Sequence, residues 1–451
     1  MANDPQERRS IFGGLLLILI GVLLLLHEHY PEMHIAHTIG RYWPLILIVW
    51  GLSKLFDNFA AQQSGQTKPA IITGGELTLI LLFALAIGGI AASEKFHDHF
   101  RWDLGDTVFS QKYSETDEVP VHPIKPGAQV NVATDRGNVT VYADETNSLR
   151  VVANKTASAT SEEQARSHTQ NIRVTVTEIT GGYEIRPTTS DSFNGVTDID
   201  LEVHLPKQVN LIATTGHGDV TVSDITGSLH ASAASGSVEI SGVTGNVNVD
   251  LQGGTARVTD VKGNVQITGH GNEVETTDVT GDASIDGEFY GPIRLQNVKQ
   301  TVTYTSARTK MNLLHLNGQM EMDSGSLDLS DVAGDAEITT HNRDIQIEKV
   351  VGRLRVVNSH GDVQVHYEQP PRDEINLTND SGAVDLTIPE NSGFEIAASS
   401  RSGEIDNDFD DSALQATDEN GDQSLQGKHG THGAKIHITT TYGTISLHKG
   451  A

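Results

Sequence analysis

From Leu211 the chain repeats with a period of 18 residues, and five consecutive units keep register without a gap: LIATTGHGDVTVSDITGS, LHASAASGSVEISGVTGN, VNVDLQGGTARVTDVKGN, VQITGHGNEVETTDVTGD and ASIDGEFYGPIRLQNVKQ. Apolar residues recur at positions 1, 3, 10, 12 and 15, as in Leu229, Ala231, Val238, Ile240 and Val243. Alternation with period two in each half predicts two short strands per unit, and position 15 adds an inward anchor. Glycine recurs at position 8 (Gly218, Gly236, Gly254) and at position 17 (Gly227, Gly245, Gly263, Gly281), marking corners where the backbone turns or approaches a neighbour closely. So small a unit cannot bury its own apolar face. Stacking units at about 4.8 Å closes the hydrogen-bond ladders and builds one continuous core. The period therefore predicts an all-β solenoid with rungs of about 18 residues.

The same phrase, apolar-x-apolar, a polar Gly corner, then Val/Ile-x-Val/Ile, recurs at residues 130–141, 354–365, 375–386 and 436–447. The solenoid is accordingly expected over residues 128–450, as roughly 15 rungs in a rod on the order of 70 Å long. Two insertions interrupt it, near 150–205 and near 406–433. The first reads as a short helix at 160–169 with hairpin-like strands at 172–177, 183–187 and 198–205. The second is rich in Asp, Asn, Gly and Ser and is expected to be a mobile loop. The last rung, ending near Lys449, has no obvious cap, and an uncapped rung exposes strand edges that invite association.

The first 110 residues have a different character. Apolar runs predict α-helical membrane spans near 11–27, 42–56 and 76–93, each short for a hydrocarbon core of about 30 Å but extendable by flanking aromatic and small residues. Residues 111–127 are expected to be a linker. The first run resembles a signal peptide in length, but His27-Glu28-His29-Tyr30-Pro31 lacks a small-residue cleavage pattern, so it is read as a retained span. Arg8, Arg9, Lys54 and Lys68 mark the cytoplasmic side, against Arg41 and Lys95 on the other. Three crossings then place the repeat domain outside the cytoplasm.

Charge and composition narrow the function. Lys plus Arg number 31 against 59 Asp plus Glu, a net charge of -28, and no segment joins basic to aromatic residues, so nucleic acid is not an expected partner. Without cysteine there is no disulfide framework, thiolate nucleophile or Cys-based zinc site. No cofactor is expected. Position 14 sets Asp224, Asp260 and Asp278 in one column, with Asp331 continuing it and Gly242 and Gln296 interrupting it. Such a ladder is a candidate Ca²⁺ site. The favoured reading is turn chemistry, each Asp preceding an apolar-x-Gly turn. His27, His29, His34, His37, His97 and His99 gather near the predicted outer membrane boundary, where imidazoles bind Zn²⁺ or titrate near pH 6.5. An interfacial polar loop is favoured over either role. Polysaccharide hydrolysis or lysis needs clustered carboxylates, and stacking sets some on neighbouring rungs, for instance Asp219 and Glu239, but strand-exterior positions are polar in any soluble solenoid and 5% aromatics leaves little to stack a sugar. The chain is therefore not expected to be an enzyme.

Two resemblances add to this. The Gly-Leu-rich first span, the short loop and Tyr42-Trp43-Pro44-Leu45-Ile46-Leu47-Ile48 resemble the membrane region of Lia-type envelope-stress proteins, over about residues 8–56. Pro206-Lys207-Gln208-Val209-Asn210-Leu211 leading into the Gly-Asp-Val rungs, and the closing Thr441-Tyr442-Gly443-Thr444-Ile445-Ser446-Leu447, resemble the bacterial adhesin-type family of β-strand repeats, over about 115–450. The resemblance implies an extracytoplasmic β-solenoid linked to envelope stress or surface interaction, without catalytic residues. The expected protein is a multi-pass bacterial membrane protein acting as a non-enzymatic, adhesin-like or envelope-stress accessory. Its partners would be the lipid bilayer and an envelope polysaccharide, another envelope protein or further copies of itself. The alternatives are a polysaccharide-acting β-helix enzyme and a cytoplasmic membrane-bound scaffold.

Overall fold

A computed structural model describes residues 111–450 except 190–195, 415, 420 and 432. The three predicted spans and His27, His29, His34, His37, His97 and His99 lie outside the described residues. The chain divides into two compact units, Met1–Trp102 and Asp103–Ala451, and all described residues belong to the second. That unit is mostly β: among the described residues 31 strands share one mixed sheet, and the helix Glu162–Asn171 connects Ser148–Ala159 to Ile172–Ile179.

The repeats supply two parallel ladders. In the first, Val209–His217, Leu229–Ser235, Val247–Leu251, Val265–Gly271 and Ala283–Phe289 pair in sequence, Leu229 facing Leu211 on one side and Val247 on the other. In the second, Val220–Ser223, Val238–Thr244, Thr255–Lys262 and Glu273–Val279 do the same. The inward residues of both ladders, among them Leu229, Ala231, Val238, Ile240 and Val243, are buried and merge into a single apolar core. Each fully buried Val, Leu or Ile contributes about 1.5–3 kcal/mol. That gain accrues only when a neighbouring rung covers it, which ties folding of each unit to the next.

The fifth unit departs from the expected period. Val274 faces Ile293, one residue beyond the 18-residue offset, because the corner Tyr290-Gly291-Pro292 is longer by one. Ile293–Thr305 then runs through both ladders, and Lys310–Met322 returns antiparallel to it. Ser326–Val332 pairs antiparallel with that reversed strand, and parallel stacking resumes with Asp344–Val350.

Rung order at both ends differs from chain order. Ala128–Arg136 lies between Val209–His217 and Gly182–Thr189, and Val139–Asp144 between Val220–Ser223 and Val196–Pro206. At the other end Ala434–Tyr442 lies between Ile375–Ser381 and Phe394–Ser400, and Ile445–Gly450 between Val384–Pro389 and Ile405–Asn407. The expectation of an uncapped final rung is thereby corrected: residues 434–450 are interior to the stack.

Two further expectations change. The presumed mobile loop at 406–433 contains Ala416–Glu419 and Asp422–His429, an antiparallel hairpin that continues the first ladder beyond Phe394–Ser400. Among the described residues of this hairpin only Leu425 is fully buried, so the apolar alternation that marks a rung is missing from its sequence. The presumed linker contains the 13-residue strand Gln111–Pro123, antiparallel to Ser148–Ala159, which pairs in turn with Val196–Pro206. The segment near 150–205 contains the expected short helix and strands, but Gly182–Thr189 and Val196–Pro206 stack in parallel on Ala128–Arg136 and Val139–Asp144, so it extends the ladders instead of interrupting them. Ser161 caps the helix, accepting from the Gln164 amide at 3.3 Å, and Glu162 and Glu163 sit favourably in its first turn.

Candidate functional site

The corners determine which side chains remain free for a ligand. A residue after the corner glycine reaches to the next rung: Asp219 Oδ1 accepts from the Ser237 amide at 2.7 Å, Asn264 Oδ1 from Asp282 at 3.0 Å, and Asp362 Oδ1 from Ala383 at 2.8 Å. These Gly-Asp and Gly-Asn side chains act as inter-rung staples, satisfying backbone donors at solvent-facing corners where no ladder partner reaches them. The signal is the dipeptide itself, which the sequence reading treated only as a polar corner. Asp219, considered above with Glu239 as a catalytic pair, is committed to this bond.

The Asp column has a backbone cause. Asp224, Asp260, Asp278 and Asp331 have φ of 60°, 51°, 58° and 53°, and Gly242, at 67°, continues the column. Because of the one-residue insertion its next member is Asn297, at 54°, rather than Gln296. All occupy the left-handed region, which Asp, Asn and Gly tolerate best. The Asp278 carboxylate accepts from the Asn297 side-chain Nδ2, and the Lys349 ammonium lies 3.1 Å from Asp331. Among the described residues no group of three His, Asp or Glu is arranged to hold a metal ion.

The outward residues of the second ladder form two continuous rows. In one, register aligns Glu239, Arg257, Glu275, Arg294 and Glu321, so charge alternates rung by rung. Arg257 Nε is 2.8 Å from Glu275, and Arg294 bonds Glu273 and, at 2.9 Å, Glu321. Alternation stops at Asp328, which faces Glu321. Burial, then Glu321, Asp323 and Glu348, pushes the Asp328 carboxyl above its ordinary value. The row continues as Gln346, Gln364 and Asp385, beside Glu348, His366 and Thr387. These six side chains and His448 line a shallow groove of about 260 Å³. His448 Nδ1 is 2.9 Å from Asp408. The groove offers amides, carboxylates, a hydroxyl and imidazoles at regular rung spacing, which suits hydrogen bonding to a polar ligand.

Residues 128–448 match the family described as Toastrack DUF4097. The chain belongs to this family. Residues 11–55 of this Toastrack protein match the LiaI-LiaF-like transmembrane region, a membrane anchor ahead of the β unit. No curated protein matches the chain. Solved structures similar to the Toastrack chain include a candidate cell adhesion protein from Clostridium sporogenes (8% identity, 74% of this chain and 100% of that one, TM-score 0.15). Others are a candidate adhesin from Bacteroides fragilis (10%, 75% and 98%, 0.20) and a candidate lipid binding protein from Parabacteroides distasonis (9%, 74% and 96%, 0.20). At these TM-scores the family assignment rests on the sequence match alone.

Within the Toastrack unit, stacking brings Asp224, Asp260 and Asp278 into one column but separates Asp224 from Asp260 by two rungs, about 10 Å. The groove residues were not singled out from the sequence. Their only signal is position: outward, in register, and beyond the point where the charge ladder stops alternating.

Proposed function

We propose that the chain is a membrane-anchored, non-enzymatic protein of the bacterial envelope, and that its two-ladder stack is a β-solenoid lying outside the cytoplasm. Its working surface is the outer face of the second ladder, where Gln346, Gln364 and Asp385 run beside Glu348, His366 and Thr387. The observation that carries this reading is that one row alternates charge for several rungs and then gives way to a polar groove of amides, carboxylates and imidazoles, held in place by Gln346 donating to Glu348 at 3.1 Å and by His448 beside Asp408. A surface built only for solubility has no reason to place that change at a concavity. Polar groups at rung spacing fit an envelope polysaccharide or an extended segment of another envelope protein. Three membrane crossings with Arg8, Arg9, Lys54 and Lys68 inside support the outside location.

Two measurements test the reading. Protease added to intact cells, or to spheroplasts where an outer membrane is present, is expected to digest the repeat unit without lysis; protection until lysis would reverse the topology and favour a cytoplasmic scaffold. In membrane vesicles, Gln346→Ala with Gln364→Ala is expected to weaken retention of envelope polysaccharide or envelope protein by about tenfold, the loss of roughly one net hydrogen bond. Unchanged retention would remove the groove from the account.

A further inference from the structure

Residues 434–450 fill a slot that the preceding chain leaves open. The chain builds Ile375–Ser381 and Val384–Pro389, skips one rung, builds Phe394–Ser400 and Ile405–Asn407, adds the hairpin, and only then returns. The returning rung is hydrogen-bonded in parallel on both sides: Ile436 stands between Ile375 and Ile396, and Ile445 between Val384 and Ile405. Ile436, Ile438, Ile445 and Leu447 are fully buried. An empty slot would therefore expose two apolar faces and four unpaired strand edges, which is a strong acceptor for a matching pair of strands.

The link into the slot is short. Phe394 pairs with His429 on one side and Ala434 on the other, so His429 and Ala434, five positions apart in the sequence, stand on opposite sides of one strand, about 10 Å apart. Gly430 has φ of 69°, and a Cβ on Gly433 would lie 1.4 Å from the Gly393 carbonyl oxygen. Short, conformationally demanding links favour exchange of the element they carry. Every copy carries a segment that fits every other copy's slot. Membrane anchoring holds copies in one plane and raises their effective concentration while each slot awaits its last rung.

We propose that this slot is an exchange interface, in which residues 434–450 of one copy complete the stack of a second copy and receive that copy's segment in return. Reciprocal exchange gives a closed pair. The hairpin beyond Phe394–Ser400 covers the end of the first ladder, so this interface does not extend into a filament. The proposal does not depend on which ligand the groove holds.

The absence of cysteine makes the test direct. Asn376 and His437 are register partners across the slot. Full-length Asn376→Cys and His437→Cys chains, carrying different tags, are co-expressed and the membranes oxidised. Exchange predicts a disulfide-linked species of doubled mass bearing both tags, several-fold stronger than the doubled band from either variant alone. A mixed band no stronger than those controls overturns the proposal. The double variant Asn376→Cys/His437→Cys reports the slot itself: with exchange it yields both intrachain and interchain bonds, and intrachain bonds alone, or no bond, overturn the proposal.

Discussion

Asp224, Asp260, Asp278 and Asp331 share a left-handed backbone with Gly242 and Asn297, so the common property of the column is φ and not charge. Replacing Asp278 therefore has a signed outcome. Asp278→Gly is expected to leave thermal unfolding nearly unchanged, whereas Asp278→Val is expected to cost about 1–2 kcal/mol, the penalty of that region for a residue with a crowded Cβ. Added Ca²⁺ is expected to shift neither melting curve; a calcium-dependent rise lost in both variants would restore the ladder as a metal site. Gly236 is constrained more tightly, with φ of 143° and a Cβ that would sit 2.0 Å from the Gly218 carbonyl oxygen. Gly236→Ala is expected to cost at least about 1–3 kcal/mol in the same assay. Both corners were visible in the sequence as recurring Gly and Asp. What was hidden is that Asp, Asn, Gly and, one rung beyond Asp331, Lys349 at φ 59° fill the same corner, because the shared quantity is a dihedral angle and one unit is a residue longer than the rest.

At the scale of elements, the helix Glu162–Asn171 is fastened by a buried cation. Lys155, 2% exposed, donates to Asp117 at 2.5 Å and to the Thr169 and Ile172 carbonyls at 2.9 and 3.3 Å, closing the C-terminal turn. Lys155→Met keeps the apolar stem and removes the donor. Asp117 is 43% exposed and rehydrates, and the Thr169 carbonyl keeps the Ile172 N–H, so the loss is the two Lys155 bonds to carbonyls, on the order of 1–2 kcal/mol, and is expected as faster amide exchange around residues 168–172 with the repeat ladders unaffected. The segment following Ile405–Asn407 is expected to be acid-labile. Hydrogen bonding to His448 lowers the Asp408 carboxyl, and the Ala413 amide followed by His429 lowers that of Asp411. A lowered carboxylate lends its stability in full above the ordinary value of about 3.9 and loses it as pH falls through the lower folded value. Proteolysis after brief exposure near pH 3 is accordingly expected to cut around residues 408–414 before the ladders open; equal resistance at pH 3 and pH 6 would refute this. The sequence revealed the ladder strands and the helix because they bury a periodic face or carry a cap. It concealed Gln111–Pro123 and the hairpin 416–429, whose edge positions leave most side chains exposed and erase the alternation.

For the whole β unit, chain order and spatial order agree through the repeats and disagree at both ends, and this difference predicts which pieces can be removed. Residues 247–264 form one complete unit, covered on one side by Leu229–Ser235 and Val238–Thr244 and on the other by Val265–Gly271 and Glu273–Val279. With those residues deleted, Leu229 meets Val265 and Val238 meets Val274 in unchanged register, and each apolar face still finds a cover. A stack whose stability is a sum over rungs and nearest-neighbour interfaces loses only one term of each. The shortened chain is expected to keep its β circular dichroism, a cooperative melt and protease resistance. Deleting the nine residues 247–255 instead removes half a unit, so every later strand is delivered to the opposite ladder and the chain must misfold or re-pair. The same reasoning makes removal of residues 434–451 far more damaging than removal of 247–264, since the gap it opens between Ile375–Ser381 and Phe394–Ser400 lies inside the stack and no later rung follows in the chain to fill it. A chain lacking 247–264 that proves as protease-sensitive as one lacking 247–255 would show that stability is not carried rung by rung, and that the period read from the sequence is a composition pattern rather than the structural unit.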